Sequence, residues 1–460
     1  MEGIEGVNHF INGIVWGPVM LCAMLGIGVF YSVRTGFFQV RHFPVWWSET
    51  ILSVFRNKSN KGKNGMISPF RAMSTALAGA IGTGNIVGVA GAMALGGAGA
   101  VFWMWVAAFF GMATSFAEIV LGIRYREVKN GSYVGGPMYY IEKGLGCRWG
   151  AVCFAVLCVL VSLGMGNMTQ ANSVAGALRL SFGIPPVICG AVLSAVTGLI
   201  IFGGISRISA LTEKLVPVMT ALYIIAALIV IFHDISRVPP AFSRIFTEAF
   251  DVKASAGGIM GYGMARAVKY GISRGVFSNE AGLGSSPIIH SAADTEDPCR
   301  QGMWGIFQVF IDTIVMCTLM SLCILTAAPD LSCADGIALS TAAFENVLGG
   351  AGRIFISVSI VLFAFATLIS WCYFGEKGLE YLTGGRYIRL YRGIYVCMTY
   401  VGCVLGISLV WDISDTLNGL MAIPNIIALI LLYRKTDEEC KKLRTISPAG
   451  TKRRSFRKLF

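Results

Sequence analysis

Charge is what this chain has least of. Lys, Arg, Asp and Glu make up 13% of its 460 residues while 55% are hydrophobic, a balance that soluble globular domains do not normally show. Motifs for chemistry are missing as well. Without a G-x-x-x-x-G-K-[ST] run, nothing points to ATP as a driving force. Without a His-Glu-x-x-His, Ser/His or paired-Asp set, an intramembrane enzyme has no machinery. The thirteen cysteines contain no C-x-x-C pair and lie mostly in apolar stretches, where they read as small packing residues. The four histidines, His9, His42, His233 and His290, have no ligand spacing. A cleavable leader is not expected either, because Met1 to Phe10 carries Glu2 and Glu5 in place of a basic segment and the apolar run behind it is too long.

What is present is a series of long apolar runs. Windows of about 20 apolar residues predict about eleven membrane passages. They cover Ile11 to Val33, Ala72 to Gly97, Ala98 to Ile123, Gly150 to Leu178, Ile184 to Ile205 and Ala210 to Phe232. The remainder are Gly257 to His290, which is broken, then Gly302 to Ala327, Ile354 to Phe374, Gly393 to Trp411 and Ile413 to Tyr433. The partner of such a chain is a lipid bilayer. Its net charge of +12 does not imply nucleic acid, because the charge is gathered into loops: seven Lys and Arg from Arg34 to Arg71, five from Arg124 to Arg148, four from Lys377 to Arg392 and ten from Arg434 onward. All four fall on one side of the predicted membrane. The other side holds the N-terminus, the Asp330, Asp335 and Glu345 stretch, and an expected turn at Asp412 and Asp415. The positive-inside rule therefore places the N-terminus outside and the C-terminus in the cytoplasm of a plasma (inner) membrane.

Setting the first passage aside leaves two sets of five, each odd in number, so the halves enter from opposite sides as an inverted repeat. The organisation expected is a peripheral passage with an amphipathic Phe43 to Arg56 segment (1–71), a first repeat (72–233), a connecting loop outside (234–256), a second repeat (257–433) and a basic, solvated tail without periodicity (434–460). No residue-level repeat is visible, so the symmetry rests on passage order.

Each half of the predicted core opens with an interruption: Gly82-Thr83-Gly84-Asn85 and Ser278-Asn279-Glu280-Ala281-Gly282-Leu283-Gly284-Ser285-Ser286. Bare backbone at membrane depth survives only where it lines a cavity, and paired interruptions mark the ligand site of a secondary transporter. Close helix packing through small residues is the alternative at the first, and a plain loop at the second. Packing explains the glycines but not Thr83 and Asn85. Asn167 and Gln170, three apart, share a helix face toward the bundle interior, as interhelical glue or as ligand contacts. Thr367 and Trp371 are an i, i+4 pair, with Trp371 either a belt residue or the end of a small pocket. Three intramembrane carboxylates are expected to have partners: Glu118 with Arg124, Glu280 with Arg274 or freed N–H groups, and Asp312 in coupling or with Lys269 or Arg266.

At these residues the chain resembles the alanine/glycine:cation symporters, which carry small neutral amino acids with Na⁺ or H⁺. The resemblance covers nearly the whole chain through GTGNIVGVA from Gly82, GGPMYYIEKGLG from Gly135, FGGISRI from Phe202, GVFSNEAGLGSSP from Gly275 and FATLISWCYFGEKGLEYL from Phe365. It implies an all-α, eleven-helix variant of the leucine-transporter fold with a 5+5 inverted-repeat core, working by alternating access. It further implies that Gly82, Thr83, Gly84 and Asn85 contact the amino acid's carboxylate, that Gln170, Ser278 and Asn279 serve its ammonium and polar edge, and that Phe277, Thr367 and Trp371 enclose its side chain. The Na⁺ site it implies uses carbonyls near Ala80 and Thr83 with a hydroxyl from Thr367 or Ser370. Some relatives favour glutamine or serine. A channel would instead need a continuous pore with rings of like polar groups, which no repeat in the sequence supplies.

Overall fold

The computed structural model describes residues 2–56, 67–129, 131–250, 262–327, 330–331 and 335–445. The end of the connecting loop (251–256), the start of the second repeat (257–261) and the tail beyond residue 445 lie outside the described residues. Almost everything described is helix. Seven helices are long and apolar enough to cross a membrane by length and composition: Gly6–Arg34, Gly99–Arg124, Arg148–Phe182, Gly204–His233, Pro298–Ala327, Gly350–Thr383 and Trp411–Lys442. The other expected passages are the shorter helices Pro186–Ile201 and Ile388–Val404 and two interrupted ones, Pro69–Ala80 with Val87–Gly96 and Tyr262–Asn279 with Ser286–His290.

Pro217 and Pro424 lie inside helices, but several other prolines punctuate helix starts, where the missing N–H costs nothing. Pro69 follows the N-cap Ser68, which accepts from Arg71 N–H, and Pro298 follows Asp297, which accepts from Cys299 and Arg300. Apolar side chains on Pro186–Ile201 and Gly204–His233, among them Val192, Leu199, Leu222, Ile225 and Ile229, remain exposed as a lipid-facing surface. Gly99–Arg124 is by contrast almost wholly buried and runs through the centre.

The two interrupted passages run antiparallel. Tyr262–Asn279 packs on Val87–Gly96, and Ser286–His290 packs on Pro69–Ala80, so the first half of each passage lies beside the second half of the other. On the face where Arg34, Arg71 and Arg124 gather, Arg71 pairs with Glu213 at 2.7 Å. There Arg126 donates to the carbonyls of Ser291, Ala293 and Thr295 while stacking over Tyr133. Arg126 thereby ties the end of Gly99–Arg124 to the residues that follow Ser286–His290.

Four local expectations are corrected. The last helix does not stop at Tyr433 but runs from Ile407 to Thr445. Residues 434–445 are therefore not a solvated tail: Asp437 pairs with Arg34, Glu438 and Glu439 each pair with Arg124 at 2.7 Å, and Cys440 is buried against Cys299. The turn expected at Asp412 and Asp415 lies earlier, between helices ending at Val404 and starting at Ile407, so both aspartates sit on the last helix. The acidic stretch read as a loop contains a helix, Gly336–Leu348, capped by Asp335 and wedged so tightly that a Cβ on Gly336 would lie 2.4 Å from the Val87 carbonyl. The amphipathic segment forms two short helices whose Trp46 is fully buried, so its aromatic stripe faces protein near Phe307 and Phe310.

Candidate functional site

The first interruption is a backbone that leaves the helix and has no room for a side chain at Gly82. Gly82 is extended, a single 3₁₀ turn follows over Thr83–Asn85, and helix resumes at Val87. A Cβ on Gly82 would lie 2.4 Å from Thr367 Oγ1 and 3.1 Å from Gln170 Oε1. Only glycine permits that approach. The freed groups find named partners. Gly82 N–H donates to Asn85 Oδ1 at 3.1 Å, while Thr83 donates through both its N–H (3.2 Å) and its Oγ1 (3.0 Å) to Gln170 Oε1.

Gln170 reaches the break because its own helix opens into a π-turn over Gly164–Met168, the kind of bulge often found at functional sites. Gln170 Nε2 returns to the Met165 carbonyl at 3.1 Å. Asn167, its expected neighbour on one face, instead donates to the Tyr395 carbonyl. The pair thus divides: Asn167 is interhelical glue and Gln170 belongs to the break.

The second interruption takes left-handed backbone at Glu280, Gly282 and Gly284. It meets the first directly, since Gly84 abuts Phe277 and the backbone of Ser278. Asp312 ties the two together from inside a second π-turn over Phe310–Cys317. Its Oδ1 accepts from Asn85 Nδ2 at 2.8 Å, and its Oδ2 accepts from Ser278 Oγ and Thr313 Oγ1, both at 2.8 Å. Asn279 Nδ2 donates to Thr313. The expected pairing of Asp312 with Lys269 or Arg266 is not found. Fully buried, it makes no ion pair among those of the described residues, and its partners are neutral donors from both interruptions.

Glu118 and Glu280 also depart from expectation. Arg124 is taken by Glu438 and Glu439, so Glu118 instead accepts from Gly284 N–H (3.0 Å) and Asn425 Nδ2 (2.6 Å), holding the second break from behind. Asn425 completes that clamp by donating to the Gly282 carbonyl and accepting from Tyr140. Glu280 pairs with neither Arg274 nor backbone N–H; its oxygens accept from Trp371 Nε1 at 2.8 Å and Ser285 Oγ at 2.5 Å.

Thr367 Oγ1 approaches the Ala78 carbonyl at 2.9 Å and those of Phe363 and Ile81 at 3.1 and 3.4 Å. Of the carbonyls at the end of the first half-helix, those of Ala78 and Ile81 lie against Thr367, and those of Ala80 and Thr83 are not among its hydrogen-bond partners. Ser370 Oγ, on the same helix, is buried without a hydrogen-bond partner. Such a cluster of oxygens at a helix's negative end suits a hard cation.

Above this centre, on the face opposite the basic one, Phe277 stacks on Trp411 with centroids 5.5 Å apart. Arg274 lies over both rings and pairs with Asp415 at 2.7 Å. Below it lies Trp371, fully buried with its indole edge on Phe374, which excludes the lipid-belt reading of this tryptophan. Gly82, Thr83, Gly84, Asn85, Gln170, Phe277, Ser278, Asn279, Thr367 and Trp371 are thus brought into one buried centre. The pairing of Arg274 with Asp415, and the role of Asn425, are not read from the sequence. Asn425 beside Pro424, inside an apolar run, was the one signal available.

The family model described as the sodium:alanine symporter family matches residues 1–458. The chain belongs to the sodium:alanine symporter family. Within it, the chain is 45% identical to the sodium/alanine symporter AgcS of Methanococcus maripaludis, over 97% of this chain and 98% of that protein. It is 39% identical to the Bacillus subtilis protein named "Probable sodium/glutamine symporter GlnT", over 94% and 89% of the two chains. Among solved structures, this family member is similar to MhsT in complex with L-phenylalanine (TM-score 0.56, 14% identity, 81% of this chain and 90% of that one). It is also similar to a substrate-bound, outward-open Na⁺-coupled sialic acid symporter (TM-score 0.54, 17% identity, 92% and 86%). At those identities the likeness shows the fold: a leucine-transporter-type inverted repeat with two discontinuous helices.

Proposed function

We propose that this protein carries a small neutral amino acid, alanine or glycine in preference, across the membrane together with Na⁺ by alternating access. The observation that carries the reading is the junction of the two interruptions. The positive end of Val87–Gly96 and the polar groups of Thr83, Asn85 and Gln170 suit a carboxylate. Ser278 and Asn279, at the negative end of Tyr262–Asn279, suit an ammonium group. Together they replace the water that a zwitterion loses at the bilayer midplane. Phe277, Thr367 and Trp371 bound what remains, and a pocket floored by a tryptophan leaves room for a methyl group sooner than for the carboxamide chain of glutamine. Similarity to AgcS, a sodium/alanine symporter, supports alanine as substrate and Na⁺ as the coupled ion.

Na⁺, as cargo, is held by the carbonyls of Ala78, Ile81 and Phe363 with the hydroxyl of Thr367, and Ser370 is available as a further ligand. These oxygens come from the first half-helix and from Gly350–Thr383, so a bound ion fixes the distance between them. A ligand shifts a conformational equilibrium only by its difference in affinity for the two states. An ion bridging two elements that separate on opening supplies that difference. The test is counterflow in proteoliposomes across a panel of amino acids under Na⁺, Li⁺ or proton gradients. Exchange of alanine and glycine that requires Na⁺ is expected, and exchange indifferent to all three ions would overturn the coupling.

The same reading places the N-terminus outside and the basic face, with the C-terminus, in the cytoplasm of the plasma membrane. A tag after Phe460 is expected to resist external protease in intact cells, and one before Gly3 to be cut. The opposite pattern would invert the orientation.

A further inference from the structure

Three positions in the second interruption adopt left-handed backbone, and two of them are glycines. The third is Glu280, with φ 61°. Left-handed conformation is unfavourable for a residue with a Cβ and persists where the surroundings enforce it, commonly at ligand sites. A side chain therefore stands at position 280 where glycine would sit without strain, and its contacts show what the strain holds in place. Glu280 is fully buried and makes no ion pair among those of the described residues. One carboxylate oxygen accepts the indole N–H of Trp371 at 2.8 Å, across 91 residues of sequence, and the other is held by Ser285 Oγ at 2.5 Å.

The indole is boxed on its remaining sides. A Cβ on Gly166, in the π-turn, would lie 2.3 Å from Trp371 Cβ, and Phe374 meets the ring edge-on at 5.3 Å. Packing thus presses on the ring, but the Glu280 carboxylate is the group that engages its polar edge. Breaking that bond would leave a buried N–H and a buried carboxylate oxygen unsatisfied, and the indole would be free to turn toward other acceptors.

From this we infer that Glu280 is a positioning residue that sets the size of side chain the site accepts, by holding the Trp371 indole as the pocket floor. The inference rests on the reading of Trp371 as a pocket wall given above. Glu280 touches no transported atom in this role. Its carboxylate acts as a hydrogen-bond acceptor, and the negative charge is not what selectivity requires.

Four variants test it through the ratio of alanine to leucine affinity, measured by equilibrium binding to purified protein in saturating Na⁺. A ratio cancels the fraction of folded protein and any change in ion coupling. Glu280→Gly relieves the left-handed strain, so a folding defect is not the confounder, and it is expected to lower the preference for alanine by about tenfold. Glu280→Gln keeps an acceptor oxygen for the indole and is expected to retain the wild-type ratio. Trp371→Phe keeps a ring but loses the N–H; it should relax the ratio in the same direction, and Glu280→Gly combined with Trp371→Phe should relax it no further than the larger single effect. An unchanged ratio in Glu280→Gly or in Trp371→Phe overturns the inference. So does a Glu280→Gln variant as relaxed as Glu280→Gly, because the charge would then be the operative property. Wild-type protein that binds no alanine in Na⁺ would be a different failure, that of the transport reading itself, and it is seen before any variant is made.

Discussion

Trp371→Ala is expected to do two opposite things: weaken alanine and admit valine, leucine or glutamine. The ring is fully buried one helical turn beyond Thr367, whose hydroxyl meets the first interruption, so its removal opens volume beneath the site. Apolar contact worth about 1–3 kcal/mol is lost around a small ligand, and the same space accommodates larger side chains. Uptake of alanine and leucine by the variant, normalised to protein in the membrane, checks this. A uniform loss of both with no gain for leucine would make Trp371 a purely structural residue.

Asn85→Ala is expected to leave the protein inserted but to weaken amino-acid binding by about 1–3 kcal/mol, roughly 5- to 150-fold in Kd. The Asn85 amide works in both directions at once. Its oxygen accepts from Gly82 N–H, and its nitrogen donates to the Asp312 carboxylate (2.8 Å) and carbonyl (2.9 Å). Alanine at this position orphans a freed backbone donor and one arm of a buried carboxylate, and it unties the first interruption from the second. Binding isotherms on purified protein measure the effect, and unchanged affinity would remove Asn85 from the site.

Both predictions rest on residues legible in the sequence, and the reason is physical. Glycines and uncharged polar groups inside apolar runs contradict the demands of a bilayer, so Gly82 to Asn85, Gln170 and Ser278 to Ser286 announce themselves. The carbonyls beside Thr367 are harder to read. A carbonyl belongs to every residue, and that those of Ala78 and Ile81 turn toward Thr367 depends on where the half-helix frays. The partners of Glu280, Glu118 and Asp312 were missed for another reason. Proximity in sequence favoured Arg274, Arg124 and Lys269, whereas the bundle brings in Trp371, Asn425 and Asn85 from far away. The helical extension to Thr445 carries little apolar periodicity, and it is held by ion pairs with Arg34 and Arg124 that the sequence alone does not connect. The π-turn over Gly164–Met168 has no signature beyond two glycines, yet it aims Gln170 at the break and admits the Trp371 ring.

The alternating-access reading requires that ion and amino acid share one equilibrium. Binding linkage is reciprocal: if Na⁺ raises the affinity for alanine by some factor, alanine must raise the affinity for Na⁺ by the same factor. The most direct measurement is the alanine Kd of the purified wild-type protein over a series of Na⁺ concentrations at constant ionic strength, with Na⁺ binding measured in turn with and without alanine. The account predicts that alanine affinity climbs with Na⁺, that choline does not substitute, and that the two factors agree. An alanine Kd that is the same with and without Na⁺ would contradict it.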